Sequence, residues 1–212
     1  MTSGTTRVGG SFRDPSGFVF VRDGVLHRQV NLSYRKEYDQ LVDSGLYADL
    51  AAKGWLVQHD ESTEKPAEAE IAYKVIQPAS VPFISYPYEW SFSQLKDAGL
   101  LTLQIAHAAL AKGMLLKDAS AYNIQFVNGK PTLIDTLSFA IYKEGAPWEA
   151  YRQFCQHFVA PLALAALVDI RLIQLMRTYI DGIPLDLASE LLPQKTRIGL
   201  SGVAAHVHLD AR

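Results

Sequence analysis

The order of hydrophobic and polar positions predicts a first part of the chain made mainly of strands. Runs of β-branched and aromatic residues occur at residues 18–21, 25–30, 71–76 and 83–86. The turn sequences Asp14-Pro15-Ser16-Gly17 and Asp23-Gly24 precede the first two runs. Proline presets one backbone angle and glycine accepts positive φ, so we predict short strands joined by tight turns.

Two segments between these runs have different patterns. Tyrosines and leucines recur at helical spacing over residues 33–53, which predicts a helix that is interrupted near Ser44-Gly45. Residues 59–70 contain five acids and no large apolar residue. That composition predicts an exposed loop.

The second part of the chain is predicted to be mainly helical. Ser91 and Gln94 form the pattern of a capping box at the start of a long helix, which Gly113 can end. Asn128-Gly129 predicts a hairpin at residues 124–134. A helical pattern then runs over residues 148–180, with a break at Pro161. The expected fold class is therefore α+β.

Composition and charge exclude several classes of protein. The 212 residues are 49% hydrophobic with a net charge of −2, which fits a globular core and provides no basic surplus for nucleic acid or an anionic membrane. A single cysteine, Cys155, excludes an intrachain disulfide and a multi-cysteine zinc site. Residues 158–168, the most apolar stretch, are too short to span a bilayer. We expect a cytoplasmic protein that binds neither nucleic acid nor membrane.

Three polar residues form the strongest candidate site. Asn123 follows Asp118 by five positions, and Asp135 lies twelve positions further on, across the predicted hairpin. Because a hairpin brings its two ends together, Asn123 and Asp135 are expected to lie close to each other, beside Asp118. Hard cations such as Mg²⁺ prefer oxygen ligands of this kind. The alternative is structural: Asp118 caps a loop, Asn123 fills a turn and Asp135 accepts backbone hydrogen bonds.

This spacing resembles the catalytic core of the protein kinase-like superfamily, including the aminoglycoside phosphotransferase-type small-molecule kinases. The resemblance implies a two-lobed fold over residues 11–192, with a strand-rich lobe at about 11–86 and a helical lobe at about 91–192. It also implies ATP and Mg²⁺ as ligands. Asp118 matches the catalytic base, and Asn123 and Asp135 match the metal ligands.

The sequence departs from the kinase pattern at the positions that bind nucleotide. Leu116 and Lys117 stand where the catalytic loop has histidine and arginine, and Asp135-Thr136-Leu137 replaces Asp-Phe-Gly. The best candidate for the glycine-rich loop is Asp14-Pro15-Ser16-Gly17. Arg28 is nearest to the place of the third-strand lysine, with Lys74 as the alternative.

The resemblance implies further cofactor-binding residues besides Arg28 and Lys117. Glu37, on the predicted first helix, matches the acid that pairs with the third-strand cation. Tyr88, Glu89 and Trp90 lie in the segment that lines the adenine pocket in kinases, where an aromatic side chain can stack on a flat ring.

A second resemblance concerns residues 86–95, 116–123 and 150–158. These segments resemble a bacterial family of class I S-adenosylmethionine-dependent methyltransferases that includes nodulation-type proteins. In that family they lie in the N-terminal part. The resemblance implies that residues 193–212 lead to a further domain, absent from this chain, that binds S-adenosylmethionine. Residues 1–10 are expected to be a flexible N-terminus.

Two functions follow from these resemblances. The first is a kinase-like N-terminal module that serves as a pseudokinase-like recognition or scaffold unit, with a small-molecule ligand or a C-terminal methyltransferase domain as its partner. The alternative is an ATP- and Mg²⁺-dependent phosphotransferase that acts on a small molecule, with Asp118 as the base.

Overall fold

An antiparallel sheet and a set of helices make up the protein, which confirms the α+β fold class. The computed structural model describes residues 6–8, 14–197 and 202–211. Within these ranges the strands are β1 (Thr6–Arg7), β2 (Gly17–Arg22), β3 (Val25–Asn31), β4 (His59–Glu61), β5 (Ala72–Pro78), β6 (Met114–Leu116), β7 (Ile124–Val127), β8 (Lys130–Leu133) and β9 (Phe139–Ile141). The α-helices are α1 (Arg35–Asp43), α2 (Leu46–Ala52), α3 (Phe92–Leu110), α4 (Tyr151–Phe154), α5 (Ala160–Leu167) and α6 (Leu185–Leu191).

Five strands form the main sheet in the order β1-β2-β3-β5-β4, and all neighbours in it are antiparallel. Two smaller antiparallel pairs follow, β6 with β9 and β7 with β8. The β7–β8 pair is the predicted hairpin, and Asn128 and Gly129 at its turn have φ angles of 51° and 75°. Both angles are positive, as a two-residue hairpin turn requires.

The long helix α3 begins as its sequence predicts. The Ser91 hydroxyl accepts a hydrogen bond from the Gln94 N–H, and the Gln94 side chain accepts one from the Ser91 N–H. This reciprocal pair satisfies two of the backbone donors that a helix start leaves free. The predicted interruption in the earlier helix is also confirmed, because Gly45 separates α1 from α2 with a φ of 76°.

Long-range contacts override two local predictions in the strand-rich part. His59–Glu61, predicted as loop, is an edge strand because it pairs with β5. The predicted strand at residues 83–86 is wrong, since these residues join no sheet in the part of the chain described. Instead, the Gln125 side chain bonds both backbone polar groups of Ser85, accepting from its N–H at 2.9 Å and donating to its C=O at 3.0 Å.

The helical prediction for residues 148–180 needs correction in detail. A π-helical turn, Cys155–Val159, separates α4 from α5, and Pro161 lies in the first turn of α5, where a missing N–H is tolerated. A 3₁₀-helical stretch, Ile170–Arg177, follows. No helix of the described residues is long and apolar enough to cross a membrane.

The structure describes part of each end of the chain. Thr6–Arg7, within the predicted flexible N-terminus, pairs with β2, while residues 1–5 and 9–10 lie outside the described ranges. Within the predicted C-terminal extension of residues 193–212, Ala204–Leu209 forms a π-helical segment. His208 in this segment is buried, with one ring nitrogen 2.7 Å from the Ser189 hydroxyl on α6.

The core is continuous from α1 and α2 through α3 to the helices after residue 150. Its fully buried members include Leu41, Leu50, Leu95, Ile105 and Phe158. A smaller cluster lies under the main sheet and includes Val30, Tyr34, Ile76 and Leu137. Leu137 comes from the turn after the hairpin, so this cluster holds the open end of the hairpin against the sheet.

Candidate functional site

The hairpin brings together the backbone of the two predicted metal-binding positions. The Ile134 N–H, directly before Asp135, donates to the Asn123 carbonyl at 2.8 Å. Leu137, two residues after Asp135, is fully buried under the main sheet. The backbone ends of the hairpin therefore meet, as the spacing of Asn123 and Asp135 predicts, and Leu137 holds the following turn against the sheet.

Arg28 on β3 forms an ion pair with Asp135. Its Nη1 lies 2.8 Å from Asp135 Oδ1, and its Nη2 lies 3.5 Å from Asp14 Oδ2. The Arg28 side chain is 11% exposed and that of Asp135 20% exposed, so water screens this pair little. Asp135 Oδ1 also accepts the Leu137 N–H at 2.8 Å.

Lys117 connects the loop after β6 to the turn before β2. Its Nζ donates to the Ser16 hydroxyl at 2.9 Å and lies 4.6 Å from the centre of the Tyr34 ring. The turn itself is stabilised by Asp14, whose Oδ1 accepts the Ser16 N–H at 2.8 Å. The candidate phosphate-covering turn therefore contacts both predicted cations, Arg28 through Asp14 and Lys117 through Ser16.

Gly17 allows this turn to lie close to the hairpin end. A Cβ at this position would come within 2.1 Å of the Gln29 carbonyl oxygen and 2.8 Å of Leu137 Cδ1. Both separations are shorter than side-chain packing tolerates, and the first is to backbone. Glycine is required at position 17 because the Gln29 backbone comes too close for a Cβ. The φ of Gly17 does not lie in the left-handed region, so conformational freedom is not the reason.

Asp118 supports its own loop. Its Oδ1 accepts the Ser120 N–H at 3.0 Å, which is the bond of an Asx turn. The next N–H, of Ala119, donates to Gln153 Oε1 at 2.7 Å. Asp118 is half-buried.

His157 lies near Asp118 and was not predicted as a site residue. It is 1% exposed, and burial lowers its pKa to about 4, although the carboxylates of Asp118 and Asp181 act in the opposite direction. Its ring meets Tyr122 edge-on at 6.1 Å, and its Nδ1 is buried without a hydrogen-bond partner. Sequence reasoning had no signal for this residue, which lies within an aromatic helical run.

The polar residues at the hairpin end do not fit a resident Mg²⁺ in this arrangement. A guanidinium and a backbone N–H already bond Asp135 Oδ1. Asn123 is half-buried, and its Nδ2, a donor that cannot bind a cation, is buried without a hydrogen-bond partner. Mg²⁺ requires near-octahedral oxygen ligands at about 2.0–2.1 Å, and a cation already contacts the carboxylate that would bind it. Across the described residues, no three His, Cys, Asp or Glu side chains form a metal-binding group.

The structure does not pair Arg28 with Glu37, the acid that the kinase resemblance implies. Glu37 is half-buried on α1, and its side chain makes no ion pair or hydrogen bond among the described residues, whereas Arg28 extends to Asp135 and Asp14. The alternative cation, Lys74, bonds Glu61 on the neighbouring strand β4 at 2.5 Å. Arg28 is therefore the cation that faces the hairpin end.

The predicted adenine-contacting residues separate into different roles. Trp90 is 4% exposed, donates to the Ser85 hydroxyl at 2.9 Å and packs edge-on against Phe126, so it is a core residue. Glu89 accepts the Tyr86 N–H at 2.8 Å and caps a short turn. Only the half-buried Tyr88 presents a ring near the surface, where it is stacked on Tyr86 at 5.5 Å.

An apolar cavity of about 340 Å³ lies along α3, and none of the predicted site residues lines it. Its walls include Leu100, Leu103, Trp148 and Phe158. It is thus separate from the polar site at the hairpin end.

The chain is similar to the nodulation protein NoeA of Rhizobium meliloti (strain 1021). The two sequences are 38% identical over 185 residues, which is 84% of this chain and 37% of NoeA. The chain therefore spans little more than one third of the length of this relative. No protein-family model matches the chain. The similarity supports the predicted link to nodulation-type proteins.

Proposed function

We propose that this chain is a kinase-like recognition module that does not transfer phosphate itself, and that it acts within a nodulation-type protein. The observation that carries the proposal is the 2.8 Å contact between Arg28 Nη1 and Asp135 Oδ1. In a phosphotransferase the matching carboxylate binds Mg²⁺ and so neutralises the polyphosphate. Here a side-chain cation neutralises that carboxylate.

The other residues of the kinase-like pattern also form internal bonds. Asp118 stabilises the turn at Ser120, and Lys117 donates to Ser16. The first bond is local to its loop, and the second joins this loop to the turn that precedes β2 of the main sheet. A recognition module requires a fixed surface of this kind, whereas turnover requires a base free to accept a proton from its substrate.

The similarity to NoeA supports the nodulation-type part of the proposal. The association with methyl transfer comes from the resemblance of residues 86–95, 116–123 and 150–158 to a methyltransferase family. We propose that S-adenosylmethionine binds a part of such proteins other than this one. All strand pairs of the described sheets are antiparallel. A nucleotide-binding sheet of the Rossmann type is parallel.

Release of ADP from ATP in the presence of Mg²⁺ tests the central claim. The intact chain is incubated with Mg²⁺ and ATP and with a panel of small hydroxyl and amine compounds as acceptors. We expect no ADP above that from the Asp118→Asn variant. ADP that requires Asp118 would contradict the proposal and favour the phosphotransferase hypothesis.

Calorimetric titration with S-adenosylmethionine tests the second part. We expect no heat of binding at micromolar cofactor. Micromolar affinity for these 212 residues would mean that the methyl-transfer chemistry belongs to this part of the protein.

A further inference from the structure

The apolar cavity along α3 is enclosed by two helical stripes. Each stripe consists of residues at positions i, i+3, i+4 and i+7, which share one face of a helix. The stripe on α3 contains Lys96, Gly99, Leu100 and Leu103. The stripe on the π-helical turn and α5 contains Cys155, Phe158, Val159 and Leu162. Apart from Lys96, both stripes present small or apolar side chains and one buried thiol to the cavity.

The cavity reaches from the surface into the core. Leu100 and Leu103 at its mouth are 52% and 43% exposed, whereas Cys155 is fully buried and Phe158 is 1% exposed. At its inner end α3 lies close to α5, because a Cβ on Gly99 would come within 3.3 Å of the Phe158 ring. A space with this depth suits a slender apolar ligand that enters by one end.

Lys96 differs from the other polar groups of the wall, which are paired within the protein. The Trp148 indole N–H donates to the Leu116 carbonyl at 2.6 Å, and the Tyr151 hydroxyl lies 2.6 Å from His206 Nδ1. Lys96 is exposed, and its ammonium makes no ion pair or hydrogen bond among the described residues. No acidic side chain of those residues lines the cavity. The cavity therefore combines apolar walls with a positive charge at its edge.

We propose that this cavity binds a medium-chain aliphatic carboxylate such as decanoate, with the hydrocarbon chain between α3 and α5 and the carboxylate at Lys96. The volume of about 340 Å³ is sufficient, since an apolar cavity of about 150 Å³ already holds benzene. Apolar walls hold water poorly, so an apolar chain that displaces it gains affinity. The inference goes beyond the proposed function, because the cavity and the polar site at the hairpin end have no residue in common.

Calorimetric titration of the intact chain with sodium decanoate tests the inference. We expect one binding site per chain. Octanoate, which is two methylenes shorter, should bind about tenfold more weakly, because each buried methylene adds to the affinity. Decanoate should also change the tryptophan fluorescence, and Trp148→Phe should abolish that change. The other tryptophans, Trp55 and Trp90, do not line the cavity.

Two kinds of variant separate the roles of the charge and the apolar walls. Lys96→Gln should lower the affinity for decanoate several-fold and leave that for decanol unchanged, because the alcohol carries no charge. Lys36→Gln, which removes an exposed lysine of α1, is the matched control. Val159→Phe fills part of the cavity and should lower the affinity for both ligands by about tenfold or more. Leu103→Trp narrows the mouth at an exposed position and should do the same, so it serves if Val159→Phe folds poorly.

No heat of binding at millimolar decanoate would overturn the inference. Equal affinity of Lys96→Gln and wild type for decanoate would also overturn it, as would binding that neither Val159→Phe nor Leu103→Trp weakens. A dimer in sedimentation that Leu100→Glu separates, in a chain that binds no decanoate, would assign the cavity to a second copy and overturn it too. The proposed function fails by a different result, ADP formation that depends on Asp118, so the two failures are distinguishable.

Discussion

Arg28 and Asp135 form an ion pair, with 2.8 Å between Nη1 and Oδ1, that joins the third strand of the sheet to the turn after the β7–β8 hairpin. Both side chains are largely shielded from water. An arginine provides a planar set of donors that reaches a carboxylate more directly than a lysine does. The pair therefore positions the hairpin end and neutralises Asp135 at the same time.

A double-mutant cycle on this pair should show strong coupling. Asp135→Asn or Arg28→Gln alone should lower the free energy of unfolding by about 3 kcal/mol. Asp135→Asn leaves Arg28 only its longer contact with Asp14, and Arg28→Gln leaves the Asp135 carboxylate without its cation. The double variant should lose less than the sum of the two. Urea unfolding measures the stability of the two single variants and of the double variant, each against the wild type. Strict additivity would show that the two side chains do not interact in solution.

Gly17→Ala should destabilise the protein strongly. The new Cβ would lie 2.1 Å from the Gln29 carbonyl oxygen, so the turn before β2 would have to move away from the sheet. We expect a loss of about 3 kcal/mol or more in urea unfolding. Gly202→Ala is the control, since within the described part of the chain its Cβ would meet only the His206 ring, at 3.5 Å. Wild-type stability for Gly17→Ala would disprove the close approach.

Tyr34→Phe tests the link between the start of α1 and strand β9. The Tyr34 hydroxyl donates to the Phe139 carbonyl at 2.6 Å and accepts the Phe139 N–H at 3.3 Å, and burial raises the pKa of this tyrosine. Loss of this hydroxyl should lower the free energy of unfolding by about 1–3 kcal/mol, as measured by urea unfolding.

Tyr142→Phe is the matched control for Tyr34→Phe. Tyr142→Phe, which removes an exposed hydroxyl contact to Gly145, should change stability by less than about 1 kcal/mol. Equal losses of stability in Tyr34→Phe and Tyr142→Phe would show that the Tyr34 hydroxyl links α1 to β9 no more strongly than an exposed contact does.

His157 should make stability depend on pH between about 6.5 and 5. Its folded pKa of about 4 lies below the ordinary value of 6.5, so the unfolded chain binds more protons in this window. Stability from this group is present above pH 6.5 and is lost as the pH falls, by about 1.4 kcal/mol per pH unit.

His157→Gln should flatten this pH dependence in urea unfolding at pH 7, 6 and 5. His107→Gln, which removes an exposed histidine of α3, should retain the wild-type slope. His59 is also buried enough for its pKa to fall to about 4, but it is present in every variant and does not affect the comparison. If stability depends on pH equally in His157→Gln and in the wild type, His157 is not the source of the dependence.

The sequence by itself determined the features that depend on neighbouring residues. The capping box of Ser91 and Gln94 starts α3, Gly45 separates α1 from α2, and Asn128-Gly129 turns the hairpin, because each acts through backbone bonds a few residues away. The spacing of Asn123 and Asp135 likewise predicted that the hairpin ends meet.

The tertiary structure alone decided the features that depend on distant partners. His59–Glu61 became a strand because the edge of β5 was available, and residues 83–86 did not, because Gln125 bonds the Ser85 backbone instead. Trp90 entered the core, and Arg28 paired with Asp135 and not with Glu37. Each outcome depends on which groups folding brings within a few ångströms, and no local pattern contains that information.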